Sequence, residues 1–301
     1  MIDSYHSPVL FAESLDALNI KPNSIIVDAT FGGGGHSSEI LNRLGNDGTL
    51  MAFDQDNDAL ENLMEDDRLV FVNANFRFLI NFLKYYEIEK IDGLLADLGV
   101  SSHQFDEGER GFSIREDGEL DMRMNKEATL SAKEVVNNYN EENLFRVFNA
   151  YADLKNTKKV VYTIIRERRN RRINTTKELV DLISDLAPPK KLNQFLAQVF
   201  QAIRIEVNDE MGALKELLEQ SEKALKQGGH LVVISYHSIE DRLVKNFIRS
   251  GNFEGELVKD TFGNVLKPFA AVNKKPIVPT DEEIERNPRA RSAKMRIAVR
   301  S

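Results

Sequence analysis

Val27-Asp28-Ala29-Thr30-Phe31-Gly32-Gly33-Gly34-Gly35-His36-Ser37 is the stretch that decides the fold. The apolar run Ile25-Ile26-Val27 ends in an acid, four glycines follow, and a helical pattern runs from Ser37 to Leu44. Strand, tight turn and helix in this order form the opening unit of a doubly wound α/β sheet. Glycine permits positive φ in such a turn, and it lets a ligand sit against bare backbone at the positive end of the following helix. The stretch points to a nucleotide-like cofactor. A glycine-rich surface turn without a ligand is the competing reading.

Two cofactor chemistries share that geometry. A dinucleotide fingerprint needs G-x-G-x-x-G/A, and here its third position falls on Ser37 or Ser38. The spacing Asp28-x-x-x-Gly32-x-Gly34-Gly35 is closer to a loop that holds S-adenosylmethionine, which has no pyrophosphate to cradle. Outward from the loop, Thr49 to Phe53 reads as a second strand ending at Asp54. An acid there accepts hydrogen bonds from ribose hydroxyls, although the cluster Asp54, Asp56, Asp58 also suits a helix cap. Leu69 to Val72 is a third strand, and Phe76 beyond it either stacks on an adenine or packs in the core. Ile91 to Ala96 is a fourth strand ending at Asp97-Leu98-Gly99. Because ligands lie outside the carboxyl ends of such strands, Asp28, Asp54 and Asp97 share one rim.

The 301 residues are 42% hydrophobic, which suits a globular chain with a sizeable core. A net charge of −8 and a pI near 5.4 exclude a general coat for polyanions, so any nucleic-acid contact uses a local basic surface. Cysteine is absent, which excludes disulfides, thiolate nucleophiles and Cys-based metal sites. Met1 to Pro8 has neither a basic nor an apolar leader segment, and no apolar run reaches membrane-spanning length. A cytoplasmic protein without a membrane partner is expected.

Ser7-Pro8 opens a first helix through Leu18. Val100 to Asn125 lacks periodicity, but its Phe112, Leu120, Met122 and Met124 suggest an ordered lid or hinge. Thr129 to Asn208 is helical, with a capping box at Ser131-x-x-Glu134, a helix starting at Thr176, and five arginines between Arg166 and Arg172. Those arginines are a solvated helix end or a phosphate-contacting surface. Asn208-Asp209-Glu210 caps a long helix reaching Gln227-Gly228-Gly229, and His230 to Ile234 is a fifth strand. Ser238-x-x-Asp241 opens the next helix as a capping box. The alternating tail, Lys294 to Val299, reads as an edge strand whose basic residues face phosphate or solvent. His237 and Glu240 lack evident co-ligands, so no metal is expected.

Several long motifs resemble one family, the MraW/RsmH methyltransferases, over nearly the whole chain. They are Asp28-Ala-Thr-Phe-Gly32-Gly-Gly-Gly-His36-Ser37, Asp97-Leu-Gly-Val-Ser-Ser-His-Gln104, Arg110-Gly-Phe-Ser113, Leu120-Asp-Met-Arg-Met124, Phe200-Gln-Ala-Ile-Arg-Ile-Glu-Val-Asn208, Ser235-Tyr-His-Ser-Ile-Glu-Asp-Arg242 and Asn287-Pro-Arg-Ala-Arg-Ser292. The resemblance implies a Rossmann-like class I methyltransferase sheet, residues 1–105 and 207–301, with a lid and an inserted all-helical domain in 106–206. It implies S-adenosylmethionine as cofactor, held at Gly34, Gly35, His36, Asp54, Phe76, Asp97 and Gln104. The implied reaction is methylation of a cytidine N4 in small-subunit ribosomal RNA, within the small subunit, with a homodimer left open. Departures fall at His103 and Glu119, where the family has Pro, at Gln194-Phe-Leu-Ala-Gln198, and at Ala152-Asp-Leu154.

Transfer to an amino nitrogen whose lone pair is delocalised into the ring needs alignment and acceptors for the amino hydrogens. Asp97 is the expected positioning and catalytic residue. Arg204, Asn208, His237 and Ser238 are expected on the substrate side. A nicotinamide oxidoreductase, an RNA-binding assembly factor, and a methyltransferase for DNA or protein are the competing readings.

Overall fold

The computed structural model describes residues 8–101, 104 and 107–301; Ser7 and His103 fall outside them. The chain divides into two compact units, one of residues 1–99 and 211–301, the other of residues 100–210.

The first unit is a seven-stranded sheet: β1 (Ile25–Asp28), β2 (Thr49–Asp54), β3 (Leu69–Asn73), β4 (Ile91–Asp97), β5 (Leu225–Ser235), β6 (Phe269–Ala271) and β7 (Lys294–Arg300), in the order β3-β2-β1-β4-β5-β7-β6. The first five strands are parallel, and β7 runs antiparallel to both β5 and β6. The order reverses between β1 and β4, which opens a crevice outside their carboxyl ends.

The strands are short apolar runs because both sheet faces are covered. Neighbouring residues therefore divide between two cores. Val27, Met51, Leu94 and Leu231 pack on one side with α3 (Leu79–Tyr85), α9 (Glu210–Ala224) and α10 (Ser238–Ser250), numbering helices in chain order. Ile26, Leu50, Leu95 and Val232 pack on the other with α1 (Phe11–Ala17) and α2 (Gly35–Arg43).

The second unit holds α4 (Ala132–Asn138), α5 (Glu141–Tyr151), α6 (Thr157–Glu167), α7 (Thr176–Ile183) and α8 (Leu192–Asn208) around a core including Phe148, Val160, Leu179 and Phe200. The capping box at Ser131 and Glu134 is present. The segment before it is built into this core: Leu120 and Met122 are buried there. Arg110 donates to the carbonyls of Arg123 and Met124 at 2.9 and 3.0 Å. Gly111, at φ 76°, is required, because a Cβ would lie 2.3 Å from the Glu119 oxygen.

Several local expectations are corrected. α1 starts at Phe11, not after Ser7: Leu10 is its N-cap at φ 50°, and the Leu10 N–H is satisfied by Glu283 Oε1 at 2.8 Å. α7, by contrast, begins at Thr176 as read from the sequence, with Thr175 as its cap. Asn208 ends α8, with Asp209 left-handed after it, instead of capping the next helix. α9 stops at Ala224 and β5 starts at Leu225, because Leu225 pairs with Ile91 and Lys226 bonds Asp92 at 3.0 Å. The cap of α10 is His237 with Glu240, one residue before the expected Ser238 and Asp241. β7 is an interior strand, since the three-residue β6, too short to show alternation, covers its far side.

Candidate functional site

The site is built on the carboxyl ends of β1, β2 and β4. β1 ends at Asp28, which is buried and internally satisfied: Ser37 Oγ donates to it at 2.7 Å and the Thr30 N–H at 3.0 Å. It ties the start of α2 to the strand. Gly34, at φ 74°, is the left-handed N-cap of α2, and a Cβ there would meet the Phe31 ring at 3.1 Å. A Cβ on Gly35 would lie 2.5 Å from Pro8 Cγ. Around Gly33 a Cβ would meet nothing within 4 Å, so the open side of the loop is at Gly33. The helix start beside it carries backbone N–H groups without intrahelical partners.

His36 turns its ring inward, 5.7 Å from the Phe11 ring, with Nε2 lacking a partner. Burial pushes it down to about 4, against a bond to the Val9 backbone, so the ring is neutral.

Asp54 ends β2 and holds two backbone N–H groups, Gly32 on Oδ2 and Asp56 on Oδ1, each at 2.8 Å. Each oxygen keeps acceptor capacity for a further donor such as a hydroxyl. Burial raises Asp54 to about 6, against those two bonds, with Asp56 and Asp28 adding repulsion. Phe76 opens a short turn after β3 and is half-buried against the sheet core. Beside it Asn75 donates to Gln55 at 2.9 Å, and Asn73 donates to the Asp54 carbonyl at 3.2 Å.

Asp97 ends β4, directly across the switch point from β1. Its N–H donates to Thr30 Oγ1 at 2.7 Å, and the Tyr236 hydroxyl donates to Oδ1 at 2.8 Å. Oδ2 has no protein donor among the described residues. Burial raises Asp97 to about 7, against the Tyr236 bond, and Asp28 and Glu240 push it further. The Tyr236 phenol is itself held far above its ordinary range by burial and by Asp97. No Lys or Arg among the described residues pairs with Asp28, Asp54 or Asp97. Their charge is uncompensated, which is the electrostatic setting for a cationic ligand.

Tyr236 is a site residue that sequence reasoning passed over. The available signal was its place at the end of β5, next to β4, with Glu240 four residues on. Buried Glu240 accepts the Tyr236 and His237 N–H groups at 2.8 and 3.2 Å and fixes the turn into α10. His237 accepts the Glu240 N–H on Nδ1 at 3.4 Å and places Nε2 3.1 Å from Glu240 Oε1. Ser238 follows it, exposed.

Gln104, Arg204 and Asn208 belong to the helical unit. Gln104 Oε1 accepts the Ser101 N–H at 3.0 Å. Arg204 makes a two-pronged pair with Glu210 at 2.7 and 2.9 Å. Asn208 accepts the Met124 N–H and donates to the carbonyls of Met122 and Arg204, which pins the 120–124 segment to α8. Its side chain is committed to backbone. In the arginine run, Arg168 donates to the Val136 carbonyl at 2.8 Å, and Arg171 approaches Glu167 at 3.5 Å. The tail's Arg296 pairs with Asp241 at 2.6 Å. No helix among the described residues is long and apolar enough to cross a membrane.

The family model described as "MraW methylase family" matches residues 3–301. The chain is 60% identical over 294 residues to ribosomal RNA small subunit methyltransferase H of Christiangramia forsetii, covering 98% of this chain and 97% of that one. It is 57% identical over 295 residues to the protein of that name from Parabacteroides distasonis, with the same coverage. A solved rRNA methylase from Streptococcus thermophilus overlays with a TM-score of 0.43 at 12% identity, covering 98% of each chain.

Proposed function

The chain belongs to the MraW methylase family and is an S-adenosylmethionine-dependent rRNA methyltransferase, and on that premise we propose that it methylates the exocyclic N4 of one cytidine of small-subunit rRNA, presented within the small ribosomal subunit in the cytoplasm. The observation that carries the donor side is the rim of three strand-end carboxylates without a cationic partner among the described residues. The donor supplies an electrophilic methyl group on a positively charged sulfur.

The roles of the chain's own residues follow from their bonds. Gly33 leaves the loop open to a ligand, and Gly34 and Gly35 set the turn. Asp54 offers its remaining acceptor capacity to a ribose diol, and Phe76 lies on the adenine side. Asp97, with Oδ1 held by Tyr236, presents Oδ2 to a ligand donor and balances positive charge when ionised. S-Adenosylmethionine held by these residues would supply the methyl group to N4 and be left as the neutral thioether, and the proton lost by the amine would pass to solvent or to a carboxylate of the site. Alignment and charge balance in a preorganised pocket are what the protein contributes. The target base leaves its stack to enter such a site. Gln104 is assigned to the cofactor, and Arg204, Asn208, His237 and Ser238 to the substrate.

The test is methyl transfer from labelled S-adenosylmethionine to small subunits lacking their native modification, with naked rRNA and DNA alongside and nucleoside mass analysis after. N4-methylcytidine formed on the subunits is the expected product. Label on another base, on DNA or on protein overturns the substrate assignment.

A further inference from the structure

We propose that the pocket between α10 and the β6–β7 edge is an anion site that holds a phosphate of the RNA strand outside the base-binding crevice. The proposal rests on the reading of this chain as an rRNA methyltransferase. It concerns a surface to which that reading assigns nothing.

The pocket is lined by Lys245 and Arg249 of α10, Lys267 before β6, Lys274 after it, and Arg296 of β7. Among the described residues no carboxylate lines it, in a chain whose net charge is −8. Asp241 neutralises Arg296 from the side, at 2.6 Å. Arg249 is held by a 2.7 Å bond to the Gly255 carbonyl, which keeps its other donors free to turn toward a ligand. Lys245, Lys267 and Lys274 are exposed and make no ion pair among the described residues. Like charges gathered around one concave surface repel, and the repulsion is relieved by a shared anion.

The register places this pocket usefully. Asp97 pairs with Ile234 of β5, and Ile234 pairs with Met295 of β7, the neighbour of Arg296. Two strand spacings, about 10 Å, thus separate β4 from β7 at this level of the sheet. A strand whose target base enters at Asp97 passes the pocket within a few nucleotides.

A second observation favours a nucleic acid over a small anion. The hairpin that delivers Lys267 is closed by a bridge between Lys259 and Val265, and its turn raises Phe262 to 89% exposure. Asp260, the acid of that turn, is spent on the N–H groups of Phe262 and Asn264. An exposed aromatic ring on the hairpin that leads to Lys267 can stack a base while the pocket's ammonium groups hold a phosphate.

The test uses the full chain and unmodified small subunits, with KM measured against KCl. Lys245→Gln/Lys267→Gln/Lys274→Gln is expected to raise KM about tenfold. It should also flatten the salt dependence by ~0.7 in log–log slope for each phosphate that is no longer neutralised. The affinity for S-adenosylhomocysteine and kcat should stay unchanged, and the Lys→Arg triple should restore KM. Phe262→Ala should raise KM about fivefold or more with the salt slope intact. A wild-type KM and slope in the Gln triple overturn the site, as does a raised KM with an unaltered slope. Absence of rRNA methylation by the wild type overturns the functional reading instead.

Discussion

Cofactor affinity should be strongly pH-dependent, and its size follows from two carboxyls. Asp97 sits at about 7 and Asp54 at about 6 in the free protein. If a cationic donor binds the ionised form, the pH 5.5 protein must first deprotonate both. For a group at 7 this lowers affinity about thirtyfold at pH 5.5 relative to pH 8, and for a group at 6 about fourfold. S-Adenosylhomocysteine, which has a neutral sulfur, should show a shallower dependence. Isothermal titration of both ligands from pH 5.5 to 8.5, in buffers of different ionisation enthalpy, reads the affinity and the protons released. Near pH 6 more than one proton should leave on binding the donor, and near pH 8 almost none. Asp97→Asn should remove most of the slope. Affinity constant within twofold across this range, or equal slopes for the two ligands, would refute the charge-balance role of the rim.

The same shifts set the stability of the free protein. A carboxyl raised on folding favours the fold in its protonated form. That contribution is complete below about pH 4 and is lost as pH rises through about 7. For Asp97, shifted by about three units, it amounts to at most ~4 kcal/mol. The donor should therefore raise the melting temperature more at pH 8 than at pH 6.

Tyr236→Phe removes the bond to Asp97 Oδ1 and should move the midpoint of donor affinity upward by about one pH unit, read in the same titration. Gly35→Ala drives a Cβ into Pro8 and should lower stability by about 1–3 kcal/mol in denaturant unfolding. Gly33→Ala, which meets nothing, should leave the melting temperature unchanged and weaken donor binding. Asn208→Ala removes its bonds to the Met124 N–H and the Met122 carbonyl; about 2–4 kcal/mol of destabilisation is expected, with limited proteolysis cutting first within 110–130.

The sheet was legible because its code is local. Apolar runs ending in acids, with glycines after the first, mark strand ends and the crevice without any long-range information. What escaped was set by partners distant in sequence. Leu10 caps α1 because Glu283, 273 residues away, satisfies its N–H. Asn208 looks like the cap of the next helix until the 120–124 backbone is seen bonded to it. Tyr236 looks like a core aromatic until β5 is set beside β4, which brings its hydroxyl to Asp97. β6 has three residues and no pattern, so the place of β7 inside the sheet could not be read from β7 alone.

Charge ties these parts together. An acidic chain that acts on RNA must keep its carboxylates from repelling phosphate where the strand lies. Here Asp28 is buried and Asp54 and Asp97 are half-buried at the ends of β1, β2 and β4, and desolvation together with mutual repulsion holds Asp97 near 7, so the free site is largely uncharged in mild acid. Ionisation is favoured when positive charge arrives. In the proposed reaction that charge vanishes as the sulfonium becomes a thioether, so the pKa of Asp97 must climb back as the product forms. The methylated amine sheds one proton in the same event. A carboxylate regaining proton affinity within the site is a thermodynamically suited acceptor for it, and its protonation weakens the grip on whatever cationic donor would enter next until the proton leaves. Turnover measured under single-turnover conditions in Asp97→Glu, which keeps the acid but shifts its reach, should therefore lose rate while retaining a pH dependence; a variant that keeps full rate and loses the pH dependence would break the link between charge and transfer.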